Sequence, residues 1–482
     1  KFGSIAPKSH YIVFEPLLKK LAENGHQVVS VNFFPQKTPL PNFTDIDISS
    51  SLPSLVGTKI VPNSFRASKW EVLRGVLSHG VPSCVPVLNH PALKKLLRSK
   101  EKFDVCIVEL FATDCFLGIV HTLNIPIVVG IMRNPEIPSY IPYWMNGVTD
   151  QMNFFERSIN FVDFLVTKFA YRIVMKYYTN SFPGYEIAKR YFGNDLPDFD
   201  TLRSKISLVI TNGHAAVSTA RALAPGFKEL GGIHIPSSSP PSLPEDLQNF
   251  LDSHSKNGVI YFSLGSQIDS STMSEQALAA FYRAFEQVPQ QILWKCTGGK
   301  MPKLPKNVKC IEWAPQLSIL CHPNVLLFIT HGGLLGTQEA VYCGVPILGI
   351  PLFGDQHLNM AYFVKKGLAL KLDYRQLSYA SVSNALSELY TDMARKASSQ
   401  FKDRPIPPLD EGVYWIEYLL RHGPNSLKTA ASELTWYQYL LLDVISMMII
   451  SIIITIWIVY KLFKLLFCRR KIVSVDINKK RS

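Results

Sequence analysis

Charge is scarce in this sequence, and so are the short motifs that mark a bound metal or dinucleotide. Charged residues are 18% of 482 positions against 47% hydrophobic ones. This excludes a disordered chain and leaves apolar material for the two or three domains that the length suggests. No G-x-G-x-x-G follows a strand-like run, which argues against a dinucleotide dehydrogenase. The eight cysteines (Cys84, Cys106, Cys115, Cys296, Cys310, Cys321, Cys343 and Cys468) contain no Cys-x-x-Cys pair. Most sit in apolar runs, where a free thiol acts as a small hydrophobe. Neither a zinc site nor a disulfide framework is expected, although an oxidising compartment permits a pair. No Asp-x-Asp is read as a metal site. No long apolar run opens the chain at KFGSIAP, so a secretory leader is expected to have been removed or to lie outside this numbering.

The net charge of +13 is mostly a tail. Lys461–Ser482 holds eight Lys/Arg against one Asp, so no nucleic-acid partner is implied. Before it, Val444–Tyr460 runs for 17 residues without a charge. With a turn added at either end it spans a bilayer core. Trp436, Tyr437, Tyr439, Trp457 and Tyr460 stand where interfacial aromatics belong, and the basic cluster places the C-terminal side in the cytoplasm. Residues 439–463 are therefore read as a transmembrane helix and 464–482 as a cytoplasmic tail. Lys479 and Lys480, close to the end, resemble the dilysine signal that returns membrane proteins to the endoplasmic reticulum. Residues before the span would then be lumenal, in a single-pass type I protein. The sequon Asn42-Phe43-Thr44 agrees with that side.

The remainder reads as two α/β halves. In the first, a short strand near Phe2–Ala6, a helix over Tyr11–Glu23 and the strand HQVVSVNFF form a β-loop-α-β unit. DVCIVEL (104–110), IPIVVGI (125–131), ISLVITN (206–212) and GGIHI (231–235) are further strands. A proline-serine stretch, Pro236–Pro244, separates the halves. After it come GVIYFSLGS, a helix over Met273–Gln287, QILWKC, VKCIEW, VLLFIT and VPILGIP. Alternating strands and helices imply parallel sheets, hence two Rossmann-like domains facing a cleft. The boundaries are 1–235, a linker at 236–247, and 248–438 with returning helices.

The sharpest motif runs from Trp313 to Asn359. Strand VLLFIT ends in His331-Gly332-Gly333, and a helix begins near Leu335. Glycines there let backbone amides approach an anion, and the helix N-terminus favours it. His331 can donate to phosphate, Glu339 suits ribose hydroxyls, Trp313 offers a flat face for a base, and Asp355-Gln356 suits sugar hydroxyls.

This stretch resembles the UDP-sugar signature of the UDP-glycosyltransferase family, which includes the UDP-glucuronosyltransferases. APKSH, FSLGSQ, ILWK, TWYQY, the span and the basic tail extend the likeness, and NPEIPSY and GIHI look insect-type. The resemblance implies a GT-B fold. It implies donor contacts from Ser266, Trp313, Gln316, His331, Gly333, Gly336, Glu339, Asp355 and Gln356. Leu335 departs from the asparagine that many members have there. The resemblance further implies that His10, after the first strand, is the general base, since an acceptor hydroxyl must lose a proton near neutral pH. A carboxylate should orient it, with Asp114 favoured over Glu109, although Asp114 also reads as an N-cap. No metal or other cofactor is expected. The reaction is an inverting hexosyl transfer from a UDP-sugar, UDP-glucose before UDP-glucuronate, to a lipophilic hydroxyl acceptor. Detoxification or conjugation of endogenous metabolites is the role. A ceramide or sterol glycosyltransferase and a non-catalytic UDP-sugar binder are the other readings. A homo- or hetero-oligomer is possible. The aromatic-rich segment 154–178 reads as helix core, or else as an acceptor wall or a surface dipping into the membrane.

Overall fold

The computed structural model describes residues 8–52, 84–99, 101–110, 114–131, 137–144, 146–176, 184–266, 268, 270–296, 301, 303–388 and 391–479. The strand expected at 2–6 and the end of the dilysine motif lie outside them. The chain divides into a compact unit, residues 1–427, and a second unit, 428–482.

Within the first unit every named strand pairing is parallel. β1 (Val28–Asn32) pairs with β2 (Phe43–Asp47). β3 (Val105–Glu109), β4 (Ile127–Ile131), β5 (Ile206–Thr211) and β6 (Phe227–Glu229) form a four-stranded sheet in that order. The second half carries β7 (Val259–Ser263), β8 (Gln291–Lys295), β9 (Val308–Ile311), β10 (Val325–Thr330), β11 (Ile347–Gly349) and β12 (Ala369–Lys371). Their spatial order is β12-β11-β10-β7-β8-β9. Chain direction through the sheet reverses between β10 and β7, the crevice where open α/β sheets hold ligands.

The central strands are apolar on both faces because helices cover both sides. All five β7 residues and all five β4 residues are buried. Trp294 is fully buried among Phe262, Phe281 and Phe285, each aromatic contributing roughly 1.5–3 kcal/mol of burial. Helix α1 (Lys8–Glu23) packs Val13, Phe14, Leu17, Leu18 and Leu21 on the first half's sheet. Its N-terminal turn brings His10 to the end of β3.

GGIHI is not a strand. Residues 231–235 form turns, and β6 precedes them. Gly231 N–H donates to Gly213 O and Gly232 N–H to Asn212 Oδ1, so the segment is tied to the loop after β5. Its apolar residues are buried by position and not by a ladder. The cysteines also depart from expectation. The structure joins Cys84 to Cys115, Cys296 to Cys310 and Cys321 to Cys343, and Cys106 is a buried free thiol. Sequence spacing hid these pairs because each partner comes from a different element.

Helix α2 (Phe154–Lys176) is not core in the expected sense: Phe154, Phe155, Phe161 and Phe169 are exposed. Helix α4 (Pro408–His422) returns to the first half, packing against α1, β4 and β5. Gly412 lies where any side chain would press on Leu230 and Leu17. In the second unit, helix α5 (Leu442–Lys479) contains the 25-residue apolar stretch Leu442–Leu466, long and apolar enough to cross a membrane.

Candidate active site and its family

The carboxyl ends of β7 and β10 meet at the reversal point. There His331 lies between two glycines. A Cβ on Gly265 would stand 2.7 Å from His331 Cε1, and one on Gly333 would stand 2.6 Å from Nε2. Only glycine leaves room for the ring, and Gly265 also holds φ +83. Burial and the neighbouring Lys295 lower the His331 pKa to about 4, so the imidazole is neutral and can donate from one nitrogen. Helix α3 (Leu334–Cys343) starts here with Gly333 as its N-cap and no side chain on its first amides. These N–H groups and the helix dipole favour a diphosphate. Ser266 is half-buried in the loop after β7.

Trp313 presents an exposed face, 55% accessible, which suits base stacking. Two ammonium groups already attend it: Lys8 Nζ at 4.4 Å and Lys295 Nζ at 4.7 Å from the ring centroid. Lys295 also donates to Gly265 O at 3.0 Å, and burial followed by Lys8 pushes its pKa down. Neither lysine was assigned a role from sequence, though APKSH and ILWK contain them. A lysine one residue past an apolar strand core was the available signal.

Gln316 Nε2 donates to Glu339 Oε2 at 2.6 Å, and a Cβ on Gly336 would stand 2.9 Å from that nitrogen. Gly336 therefore makes room for Gln316, which orients Glu339. Burial raises the Glu339 pKa to about 7. The buried His234 from the first half lies 3.7 Å from its other oxygen.

Asp355 is held by Asn359, which donates to Oδ2 at 3.0 Å. Burial raises its pKa, and the hydrogen bond from Asn359 works against that rise. Gln356 is 4% exposed, and its carbonyl accepts from the amides of Leu352 and Phe353 at 2.8 and 3.0 Å. Among the described residues, its NH2 group has no hydrogen-bond acceptor.

In the first half, His10 Nδ1 is 2.5 Å from Glu109 Oε1, at the end of β3. Glu109 is buried and the His10 side chain is 37% exposed. A carboxylate only accepts, so the proton sits on Nδ1 and Nε2 carries the lone pair. The preference for Asp114 is not met. Its buried carboxylate accepts from Arg203 Nη2 at 3.1 Å. The reason is local: β3 ends at Glu109, and Asp114 begins a short 3-10 turn beyond it.

Two Asp-x-Asp pairs do occur, and backbone amides engage them. Asp45 accepts from Asn32 and from Gln36 N–H, Asp47 from Ser49 N–H, and Asp198 caps the helix Phe199–Ser204.

The two Rossmann-like halves share the GT-B fold of solved glycosyltransferases. The sequence model of the UDP-glucoronosyl and UDP-glucosyl transferase family matches residues 102–480. UDP-glycosyltransferase UGT5 of Dactylopius coccus is 36% identical over 482 residues, covering 94% of this chain and 89% of that protein. UDP-glucuronosyltransferase 2B17 of Homo sapiens is 31% identical, covering 98% and 94%. The solved UDP-glucose: anthocyanidin 3-O-glucosyltransferase in complex with UDP superposes with a TM-score of 0.57 at 17% identity, covering 88% of this chain and 97% of that one. The chain belongs to the UDP-glucoronosyl and UDP-glucosyl transferase family and is a UDP-glycosyltransferase whose donor is a UDP-sugar.

Proposed function

We propose that this enzyme transfers glucose from UDP-glucose, with inversion, to a hydroxyl of small lipophilic acceptors. The observation that carries the reading is the hydrogen-bonded His10–Glu109 pair at the end of β3. His10 Nε2 removes the acceptor proton while Glu109 fixes the tautomer and stabilises the imidazolium that forms. The acceptor oxygen bonds to the anomeric carbon as the bond to the UDP oxygen breaks, so an α-linked donor gives a β-glycoside. His331, Ser266, Lys295 and the first amides of α3 take up the charge on departing UDP, and the reading assigns no step to a metal. Trp313 stacks the uracil, Glu339 with Gln316 holds the ribose, and Asp355 with the Gln356 amide holds the hexose.

The preference for glucose is supported by a 37% identical Dactylopius coccus relative, UDP-glucosyltransferase 2. We place the enzyme in the endoplasmic reticulum membrane, its first unit lumenal, in conjugation of foreign or endogenous compounds. The three disulfides suit that compartment. Membranes bearing the protein, given UDP-glucose or UDP-glucuronate with a panel of phenols, test the reading by mass spectrometry and by the anomeric coupling in product NMR. Glucuronides in place of glucosides overturn the donor assignment. An α-linked product overturns the displacement.

A further inference from the structure

A buried histidine stands where the turn 231–235 of the first half meets helix α3 of the second. Gln338 of α3, fully buried, fixes that turn. Its Oε1 accepts from Gly232 N–H at 2.9 Å, and its Nε2 donates to Asn212 O at 2.7 Å. The anchoring brings His234 against Glu339, the residue after Gln338. The His234 side chain is 2% exposed, and its Nε2 lies 3.7 Å from Glu339 Oε1. Among the described residues neither ring nitrogen has a hydrogen-bond partner. Buried polar groups are nearly always paired, so this one calls for a reason. Packing supplies none, because an apolar side chain of similar size fills such a space without two orphaned nitrogens.

We propose that His234 is a positioning residue of the donor site: when a ribose binds, it takes the proton of Glu339, so that the acid meets the sugar hydroxyls as a carboxylate. The inference rests on the reading that Glu339 holds the ribose. The proton passes from Glu339 Oε1 to His234 Nε2, a gap that a small rotation of the carboxyl closes, and none is released to solvent. An ionised carboxylate accepts from both ribose hydroxyls, whereas a protonated one spends an oxygen as a donor. Burial holds Glu339 near its midpoint at neutral pH, with a pKa of about 7. Burial lowers the His234 pKa to about 4, against a smaller raising effect of the nearby Leu335 backbone. The free ring is therefore neutral and able to receive, and a new carboxylate beside it favours the charged form. The other polar groups here keep their charge. Tyr261 donates to Gln316 Oε1 at 3.4 Å, and burial pushes its pKa up. Burial and Arg404 lower His214 to about 4. Arg404, which donates to Gly231 O at 2.6 Å, stays cationic.

The test is calorimetric titration of the full chain in detergent with UDP-glucose, whose diphosphate does not titrate near neutral pH. Two buffers of different ionisation enthalpy at pH 6 and pH 8 count the protons exchanged. His234→Gln keeps a donor and cannot take a proton. Against wild type it should bind about tenfold weaker at pH 6 and within about twofold at pH 8, because an acid with a pKa of about 7 must then lose its proton to solvent. It should release about one more proton per ligand than wild type at pH 6. Titrations common to both proteins cancel in the ratio. His234→Leu should show the same loss at pH 6 and a thermal midpoint no lower than wild type. An equal loss at both pH values, or a lowered midpoint with the wild-type pH profile, marks a structural histidine and overturns the inference. Glu339→Gln separates the inference from the reading beneath it. That variant should bind weakly at both pH values. Unchanged binding removes the ribose assignment and the inference with it. Weak binding there, beside a wild-type profile in His234→Gln, overturns the inference alone.

Discussion

Replacing Glu109 with glutamine changes one oxygen for an NH2 group and keeps the shape of the side chain. The 2.5 Å contact to His10 Nδ1 then offers a donor where an acceptor stood. The ring is no longer held with its proton on Nδ1, and the tautomer carrying it on Nε2 cannot accept from the acceptor hydroxyl. The imidazolium formed during transfer also loses its buried partner. A charge-assisted hydrogen bond of this kind contributes roughly 1.5–3 kcal/mol, or about 10- to 150-fold in rate. Loss of a general base costs about 10²–10⁴-fold. Glu109→Gln should therefore lower kcat by about 10²–10³, with the UDP-glucose KM little changed, because the donor residues lie across the cleft. Asp114→Asn gives the contrast. It breaks the pair with the part-exposed Arg203 and should cost on the order of 1–3 kcal/mol of stability, with kcat per folded molecule within about threefold of wild type. The assay is initial rate at saturating UDP-glucose and phenol, normalised by thermal unfolding of the same preparation. If Asp114→Asn shows the greater loss of kcat, or Glu109→Gln keeps more than a tenth of it, the assignment of the positioning carboxylate is wrong.

Asp355→Ala should weaken UDP-glucose by about 10- to 150-fold and leave UDP nearly unaffected, as calorimetric titration with each would read. Trp313→Ala should weaken both ligands together, and a loss confined to UDP-glucose would move the base elsewhere. Burial raises the Glu339 pKa to about 7 from the ordinary 4.5, so its contribution to stability is fully present below about 4.5 and is lost as pH rises through 7. Glu339→Gln should accordingly raise stability relative to wild type at pH 8 by on the order of 1–3 kcal/mol and little at pH 5, with weaker UDP binding; equal effects at both pH values would contradict the buried charge. Opening the 31-residue loop by Cys84→Ser should cost about 3–4 kcal/mol in chemical denaturation on the loop-entropy account, and an unchanged midpoint would mean the bond is not formed. In sealed microsomes, detergent should raise activity, and external protease should remove only the tail; digestion of the whole chain would reverse the topology.

Much of the fold was legible because the central strands are short apolar runs. VLLFIT became β10 at the same six positions, and the helix beginning after His331-Gly332-Gly333 was misjudged by a residue. GGIHI was misread because β-branched residues look alike in a strand and in a buried turn. The residues expected at the donor site were read from the sequence as types: a histidine followed by two glycines, a strand-end tryptophan, an acid in the second turn of a helix. What holds them was not. Gln316 on Glu339, Lys295 on Gly265 and Lys8 over Trp313 join segments 23, 30 and 305 positions apart, which no local pattern reports. The choice between Glu109 and Asp114 failed for the same reason. Five residues separate them, and only the position where β3 ends decides which one meets His10. Helix α2 was identifiable by its composition, but the orientation of its apolar face depends on the loop that Asn160 and Thr167 bind.

The most direct test of the account is a single turnover of His10→Ala with UDP-glucose prebound, set beside the UDP affinity of the same preparation. The account predicts UDP affinity within about threefold of wild type and a transfer rate lowered by at least about 10²-fold, since the base acts on the acceptor and the donor site belongs to the other half. Transfer at a near-normal rate, or UDP binding lost together with transfer, would contradict it.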